Sequence, residues 1–122
     1  MLRILLDENI PAPLRHLIDA HQTIPAYDAG WADLSNGDLI AAAEADGFDL
    51  LITADRNIRY QQNLTGRRLS LIVLSTNIWP TIRANPAPIL SAIECIQPGD
   101  YVEVLLNRPR RRRRPYNPAS ES

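Results

Sequence analysis

The sequence predicts an α/β domain in which helices cover both faces of a mostly parallel central sheet, a three-layer α/β/α sandwich. Short, almost wholly apolar runs recur along the chain, as expected for strands buried on both faces. Segments with helical spacing separate these runs, so strands and helices alternate. The chain has 122 residues, of which 45% are hydrophobic, and this is enough for one buried core.

The first half of the chain is predicted to alternate between strands and helices. Residues 2–6 form an apolar run typical of a buried strand. Residues 9–20 are predicted as a helix, because four apolar residues recur there at helical spacing. Residues 23–25 are predicted as a weak strand. The alanine-rich residues 36–46 are predicted as a second helix, and residues 49–53 as a buried strand.

The second half continues the same alternation. Residues 56–62 are predicted as a short helix or turn, and residues 70–74 as another buried strand. Residues 79–96 are predicted as a helical stretch broken by prolines. Residues 101–106 are predicted as an edge strand, because polar and apolar side chains alternate at the start of this segment.

Charge divides the chain into a domain at 1–107 and a tail at 108–122. The domain holds 7 arginines and 13 acidic residues, a net charge of −6, whereas the tail holds 6 arginines and 1 glutamate, a net charge of +5. The tail is rich in proline and lacks apolar periodicity, which predicts disorder. Arginine binds phosphate in a bidentate manner and stacks on bases, so the run indicates nucleic-acid binding, with a solvated end without a partner as an equal alternative. The run consists of Arg110, Arg111, Arg112, Arg113 and Arg114.

The composition excludes several classes of protein. No apolar run approaches the roughly 18 residues that a membrane span needs, so we expect no membrane partner. The N-terminus becomes acidic at Asp7, too soon for a signal peptide. Cys95 is the single cysteine, and with only His16 and His21 available it predicts neither a disulfide nor a zinc site. These observations predict a cytoplasmic protein.

Three aspartates stand at the ends of predicted elements. Asp7 follows the first strand, Asp38 opens the second helix, and Asp55 follows the strand at 49–53. The carboxyl ends of parallel strands share one edge of a sheet, where ligands bind, so we expect these acids to converge. Each of them alone is better explained as a helix cap, and the prediction therefore depends on the set.

A convergent set of carboxylates predicts a bound divalent cation. Mg²⁺ and Mn²⁺ prefer oxygen ligands, and either ion would offset the repulsion between the acids. Such an ion can also activate water and offset the charge of a phosphate. The three aspartates therefore favour hydrolysis of phosphodiester bonds.

Three segments carry a resemblance to a known family. They are residues 5–11 (Leu-Leu-Asp-Glu-Asn-Ile-Pro), 35–40 (Ser-Asn-Gly-Asp-Leu-Ile) and 51–57 (Leu-Ile-Thr-Ala-Asp-Arg-Asn). In this order they resemble the PIN-like proteins of the DUF5615 and Mut7-C type. Those proteins are relatives of PIN-domain ribonucleases and are often found in toxin–antitoxin modules. The resemblance extends from residue 2 to about residue 80.

The resemblance implies a PIN-like fold and a metal-dependent ribonuclease. Asp7, Asp38 and Asp55 would bind Mg²⁺ or Mn²⁺, and Thr53 would be the supporting hydroxyl of a Thr-x-Asp motif. The family often has a further aspartate two residues after that motif, where this chain has Asn57, so the catalytic set would be the three acids assisted by an uncharged Asn57. RNA would be the substrate. An antitoxin protein and a second copy of the chain in a homodimer are further candidate partners.

Two other functions remain open. The uncharged Asn57 is compatible with a degenerate, non-catalytic PIN-like module that binds nucleic acid. A phosphorelay receiver would use Asp55 as phosphoryl acceptor, Mg²⁺ held at Asp7, and a hydroxyl at Ser75 or Thr76. Receivers also need a lysine to bind the phosphoryl group, and this chain has no lysine.

Overall fold

The short apolar runs of the sequence form the strands of one sheet. The structure, a computed structural model, describes residues 1–58 and 66–107. The strands are β1 (Arg3–Leu6), β2 (Gln22–Pro25), β3 (Leu50–Thr53), β4 (Ser70–Leu74) and β5 (Tyr101–Val104). They lie in the order β2-β1-β3-β4-β5, and neighbouring strands pair in parallel. The predicted α/β class with a parallel central sheet is confirmed.

Helical segments connect the strands. They are a 3-10 helix (Ala12–His16), α1 (Asn36–Ala45), α2 (Trp79–Ala84) and α3 (Pro86–Cys95). Helix α1 agrees with the prediction at 36–46. The stretch predicted at 79–96 is divided at Asn85, whose φ of −130° and ψ of 54° are not helical, because Pro86 disfavours the helical conformation in the residue before it. Within residues 1–58 and 66–107, no helix is long and apolar enough to cross a membrane.

The helix predicted at 9–20 is wrong, since only the short 3-10 helix forms in this segment. Pro13 has no N–H to donate, and its ring disfavours the α conformation in the preceding residue. The chain makes bonds between residues three apart instead, such as Leu14 N–H to the Pro11 carbonyl at 3.0 Å. Leu14 is nevertheless fully buried, so the apolar spacing marks the buried side correctly.

Two predictions fall on residues outside those described. The prediction of a short helix or turn at 56–62 is described only as far as Ile58. The tail at 108–122, with its arginine run, lies wholly outside the described residues.

The strand predicted at 101–106 forms as β5 at one edge of the sheet, and it ends at Val104, two residues earlier than predicted.

Side chains that alternate along the strands pack into two cores, one on each face of the sheet. On one face the strands pack against the 3-10 helix, α2 and α3, and on the other they pack against α1. This gives the three layers that the sequence predicts. The first core includes Ile4, Leu6, Leu50, Ile52, Ile72, Ile82 and Ile89, and the second includes Leu5, Leu39, Ile40, Leu51, Leu71 and Val73.

The parallel sheet brings the segments that follow each strand to one edge, here called the carboxyl edge. The ladder continues one residue beyond β1, because Asp7 N–H donates to the carbonyl of Ile52 at 2.9 Å. Beyond β4, Ser75 N–H donates to the carbonyl of Val104 at 3.0 Å. The residues after β1, β3, β4 and β5 therefore follow one another along this edge.

Candidate active site

Asp7 is the buried carboxylate of the carboxyl edge. It follows β1 directly and is only 7% exposed. Its Oδ2 accepts a hydrogen bond from the Thr53 hydroxyl at 2.7 Å, and its Oδ1 accepts one from the N–H of Glu8 at 2.8 Å. Both donors are neutral, so they orient the carboxylate without neutralising its charge.

Thr53 joins the two acids that follow β1 and β3. It is the last residue of β3 and is fully buried. Its Oγ1 donates to Asp7 and accepts from the N–H of Asp55 at 3.1 Å. A hydroxyl can donate and accept at once, and this position uses both capacities. Thr53 therefore connects the Asp7 carboxylate to the main chain of Asp55 through one hydroxyl.

Asn9 ties the segment after β1 to the segment after β3. Its Oδ1 accepts from the N–H of Ala54 at 3.1 Å, and its Nδ2 donates to Thr53 Oγ1 at 3.4 Å. An aspartate could not make the second bond, because a carboxylate has no donor. The sequence predicted Asn9 only as a possible helix cap and gave it no role among the site residues. The signal available was its position two residues after Asp7, in the turn closed by the bond from Ile10 N–H to the Asp7 carbonyl.

Asp55 is half-buried and held by two neutral donors. Asn36 Nδ2 donates to its Oδ2 at 2.6 Å, and the N–H of Asn57 donates to its Oδ1 at 3.0 Å. Asn36 is the first residue of α1, so the start of this helix reaches the carboxyl edge through an amide. Asn57 contributes its main chain to this bond, and its side chain is exposed.

Asp38 is placed differently from Asp7 and Asp55. It is exposed, and its N–H donates to Ser35 Oγ at 3.3 Å, which is the N-terminal cap of α1. Residues two apart on a helix do not share a face, so Asn36 and Asp38 point in different directions. In the described chain no hydrogen bond joins the Asp38 carboxylate to the network of Asp7, Thr53 and Asp55. Asn36, which sequence reasoning missed, is the residue of α1 that meets Asp55.

The side chains at the carboxyl edge supply carboxylate oxygens, which are the ligands that a hard cation such as Mg²⁺ prefers. Across residues 1–58 and 66–107, no group of three or more histidine, cysteine, aspartate and glutamate side chains is arranged to hold a metal ion. Asp7 and Asp55 nevertheless offer carboxylate oxygens as ligands, because each oxygen accepts one hydrogen bond from a named donor of the described residues and has two lone pairs. Mg²⁺ is commonly bound through one or two carboxylates together with water and substrate phosphate. The carboxylates of Asp7 and Asp55 fit this mode of Mg²⁺ binding.

Comparison with known proteins identifies no relative: no protein-family model, curated protein or solved structure matched the chain. The resemblance to PIN-like proteins therefore stays a prediction that rests on three short segments. The α/β architecture and the hydrogen-bonded acids are independent of that resemblance.

Proposed function

We propose that this protein is a Mg²⁺- or Mn²⁺-dependent endoribonuclease of the PIN-like type, which hydrolyses RNA phosphodiester bonds at the carboxyl edge. The observation that carries the proposal is the bond from Thr53 to the buried Asp7 carboxylate, which links this acid to Asp55. Burying a carboxylate is costly, so a buried acid oriented only by neutral donors, at a ligand-binding edge, supports a functional role.

In this proposal the residues of the chain have separate roles. Asp7 and Asp55 hold the cation, and Asp38 on the first turn of α1 is the third candidate acid. When bound, the cation supplies charge compensation for the anionic phosphate and acidifies water. Thr53 is a positioning residue, because it fixes the orientation of Asp7 and the main chain of Asp55. Asn57 would orient substrate or water from its exposed position.

The wider biological setting belongs to the same proposal. Arg110, Arg111, Arg112, Arg113 and Arg114 would supply salt-dependent affinity for RNA. A ribonuclease of this type would act in the cytoplasm, where an antitoxin protein or a second copy of the chain would be its protein partner.

The proposal is tested by RNA cleavage in the presence of Mn²⁺. We expect the wild-type protein to cleave single-stranded RNA, and Asp7→Asn and Asp55→Asn to lose at least about 100-fold in rate, since loss of a charged metal ligand should cost no less than a supporting residue. Asp19→Asn is the matched control, because Asp19 is exposed and precedes β2 at the opposite edge. Equal cleavage by wild type and Asp55→Asn, or cleavage by neither, would contradict the proposed catalytic activity.

A non-catalytic nucleic-acid-binding module is the second candidate function. It is favoured by the two asparagines next to Asp55, Asn36 and Asn57, which bind this acid without adding charge. This function predicts RNA binding that is unchanged by Mn²⁺ and by Asp55→Asn. Measuring binding and cleavage on the same preparation separates the two functions.

A further inference from the structure

The chain leaves the described domain at the carboxyl edge, where hydrogen bonds hold its last residues. Strand β5 runs parallel to β4, so it ends at this edge. The N–H of Leu106 donates to Ser75 Oγ at 2.8 Å. Asn85 Nδ2 donates to the carbonyl of Asn107 at 2.8 Å. The described chain therefore ends at the edge that carries Asp55, two strands farther along the sheet.

Arg56 is a cation between Asp55 and this exit. It is exposed and lines a shallow depression together with Ser75, Glu103 and Leu105, the residues at the ends of β4 and β5. In the part of the chain that the structure describes, the ion pairs involve Arg3, Arg15 and Arg67, and Arg56 takes part in none of them. Glu103, the acid in the depression, accepts a bond from the Tyr101 hydroxyl at 3.3 Å. The guanidinium of Arg56 is therefore available to an external anion.

Tyr27 stands at the opposite end of the same edge. It lies two residues after β2, and the neighbouring Ala26 N–H donates to the carbonyl of Leu6 at 2.7 Å. Its side chain is largely in water, since the residue is 79% exposed. An exposed aromatic ring beside a row of polar groups is a surface on which an unpaired base can stack.

The strand order places these groups in a line along the carboxyl edge. Tyr27 follows β2, Asp7 follows β1, Asp55 and Arg56 follow β3, and the described chain ends after β5. Four strand spacings of about 4.8 Å make this line about 19 Å long. A stacked strand rises about 3.4 Å per nucleotide, so the line matches about six nucleotides.

We propose that a segment of single-stranded RNA binds along this line, with a base stacked on Tyr27, a phosphate bound to Arg56, and the backbone continuing towards the end of β5. This inference rests on the proposed function and assigns two residues outside the acids, Tyr27 and Arg56, to binding of the strand. A duplex would not bind in the same way, because its bases are already stacked and paired and cannot reach Tyr27.

The test measures binding separately from cleavage. Fluorescence anisotropy follows a labelled single-stranded RNA of about 12 nucleotides on the full-length protein, with EDTA present. We expect Tyr27→Ala to weaken binding about 5- to 10-fold, and Tyr27→Phe to bind as wild type, because the ring is retained. Arg56→Gln should weaken binding several-fold and reduce the slope of log K against log salt by about 0.7. Arg68→Gln is the matched control, since Arg68 is exposed and precedes β4 at the opposite edge.

Three results would overturn the inference: Tyr27→Ala binding as wild type, Arg56→Gln matching Arg68→Gln, or a duplex of the same length binding as tightly as the single strand. Failure of the proposed function is distinguishable, because RNA would then bind as described and remain uncleaved when Mn²⁺ is added.

Discussion

The hydroxyl of Thr53 connects several groups of the candidate site by hydrogen bonds. Thr53 Oγ1 donates to the Asp7 carboxylate and accepts from the N–H of Asp55 and the amide of Asn9. Because Thr53 is fully buried, water cannot easily replace a lost partner. The orientation of both acids therefore depends on this side chain.

The role of Thr53 can be tested by removing the hydroxyl while keeping the shape of the side chain. We expect Thr53→Val to lower the free energy of unfolding by about 2 kcal/mol, because it removes the hydroxyl that bonds to a buried carboxylate oxygen and to a half-buried N–H. Urea denaturation measures this change. Thr53→Ser retains the hydroxyl and serves as the control, and a Val variant as stable as the Ser variant would contradict the assignment.

At the residue scale, the sequence predicts the acids of the network better than the amides. Asp7 and Asp55 directly follow apolar runs, so their position at one edge follows from the parallel sheet alone. Asn36 could not be predicted in the same way, because its contact with Asp55 depends on the rotational phase of α1. Motif order suggested Asp38, whereas the helix presents Asn36 to Asp55.

At the scale of the elements, Glu44 connects α1 to the segment that enters β4. Its Oε1 accepts from the N–H of Arg68 at 3.1 Å, and its Oε2 accepts from the Arg67 guanidinium at 3.2 Å. The N–H of Arg68, followed by the charge and hydrogen bond of Arg67, holds the pKa of Glu44 below its ordinary value, against the opposing effect of burial. The charged form of Glu44 therefore stabilises the folded protein.

This connection predicts a pH dependence. A carboxyl whose pKa is lowered by folding stabilises the protein above its unfolded-state pKa, and the effect is lost as the pH falls through the folded-state pKa. We expect Glu44→Gln to be less stable than wild type at neutral pH, with the difference shrinking as the pH falls below about 4.3, the ordinary pKa of a glutamate. Thermal unfolding across this range measures it. Glu94→Gln, an exposed change on α3, should show no such trend, and a pH-independent difference for Glu44→Gln would refute the linkage.

Elements are predictable where one signal dominates and less so where two compete. The run at 70–74 is continuously apolar and forms β4 as predicted. In residues 9–20 the spacing of apolar residues favours an α-helix, whereas Pro13 lacks the N–H that an α-helix needs. The effect of the proline is the stronger one, and only a 3-10 helix forms. The apolar spacing there reflects packing against the sheet, which a 3-10 turn satisfies as well.

At the scale of the whole molecule, charge is segregated along the chain. Residues 1–107 carry a net charge of −6, and the carboxyl edge adds its own acids to this field. A polyanion such as RNA is therefore repelled by most of the domain. The compensating positive charge lies in the last fifteen residues, of which six are arginine.

Removing the tail tests this division. We expect a protein that ends at Asn107 to bind RNA much more weakly at low salt, with a salt slope shallower by up to about 4, because six arginines are lost. Filter binding over a range of salt concentrations measures both quantities. A full-length variant with residues 110–114 changed to glutamine separates charge from chain length. Unchanged affinity at low salt would leave the tail without a role in RNA binding.

The bond between Thr53 and Asp7 also has a consequence for folding. It joins residues 46 positions apart, and it exists only when β1 and β3 pair in the native register. A slip of one residue would turn Thr53 to the opposite face of the sheet. Parallel, long-range pairing is among the slower events of folding. Under the proposed function, an incompletely folded chain would lack this site and would pose little danger to cellular RNA.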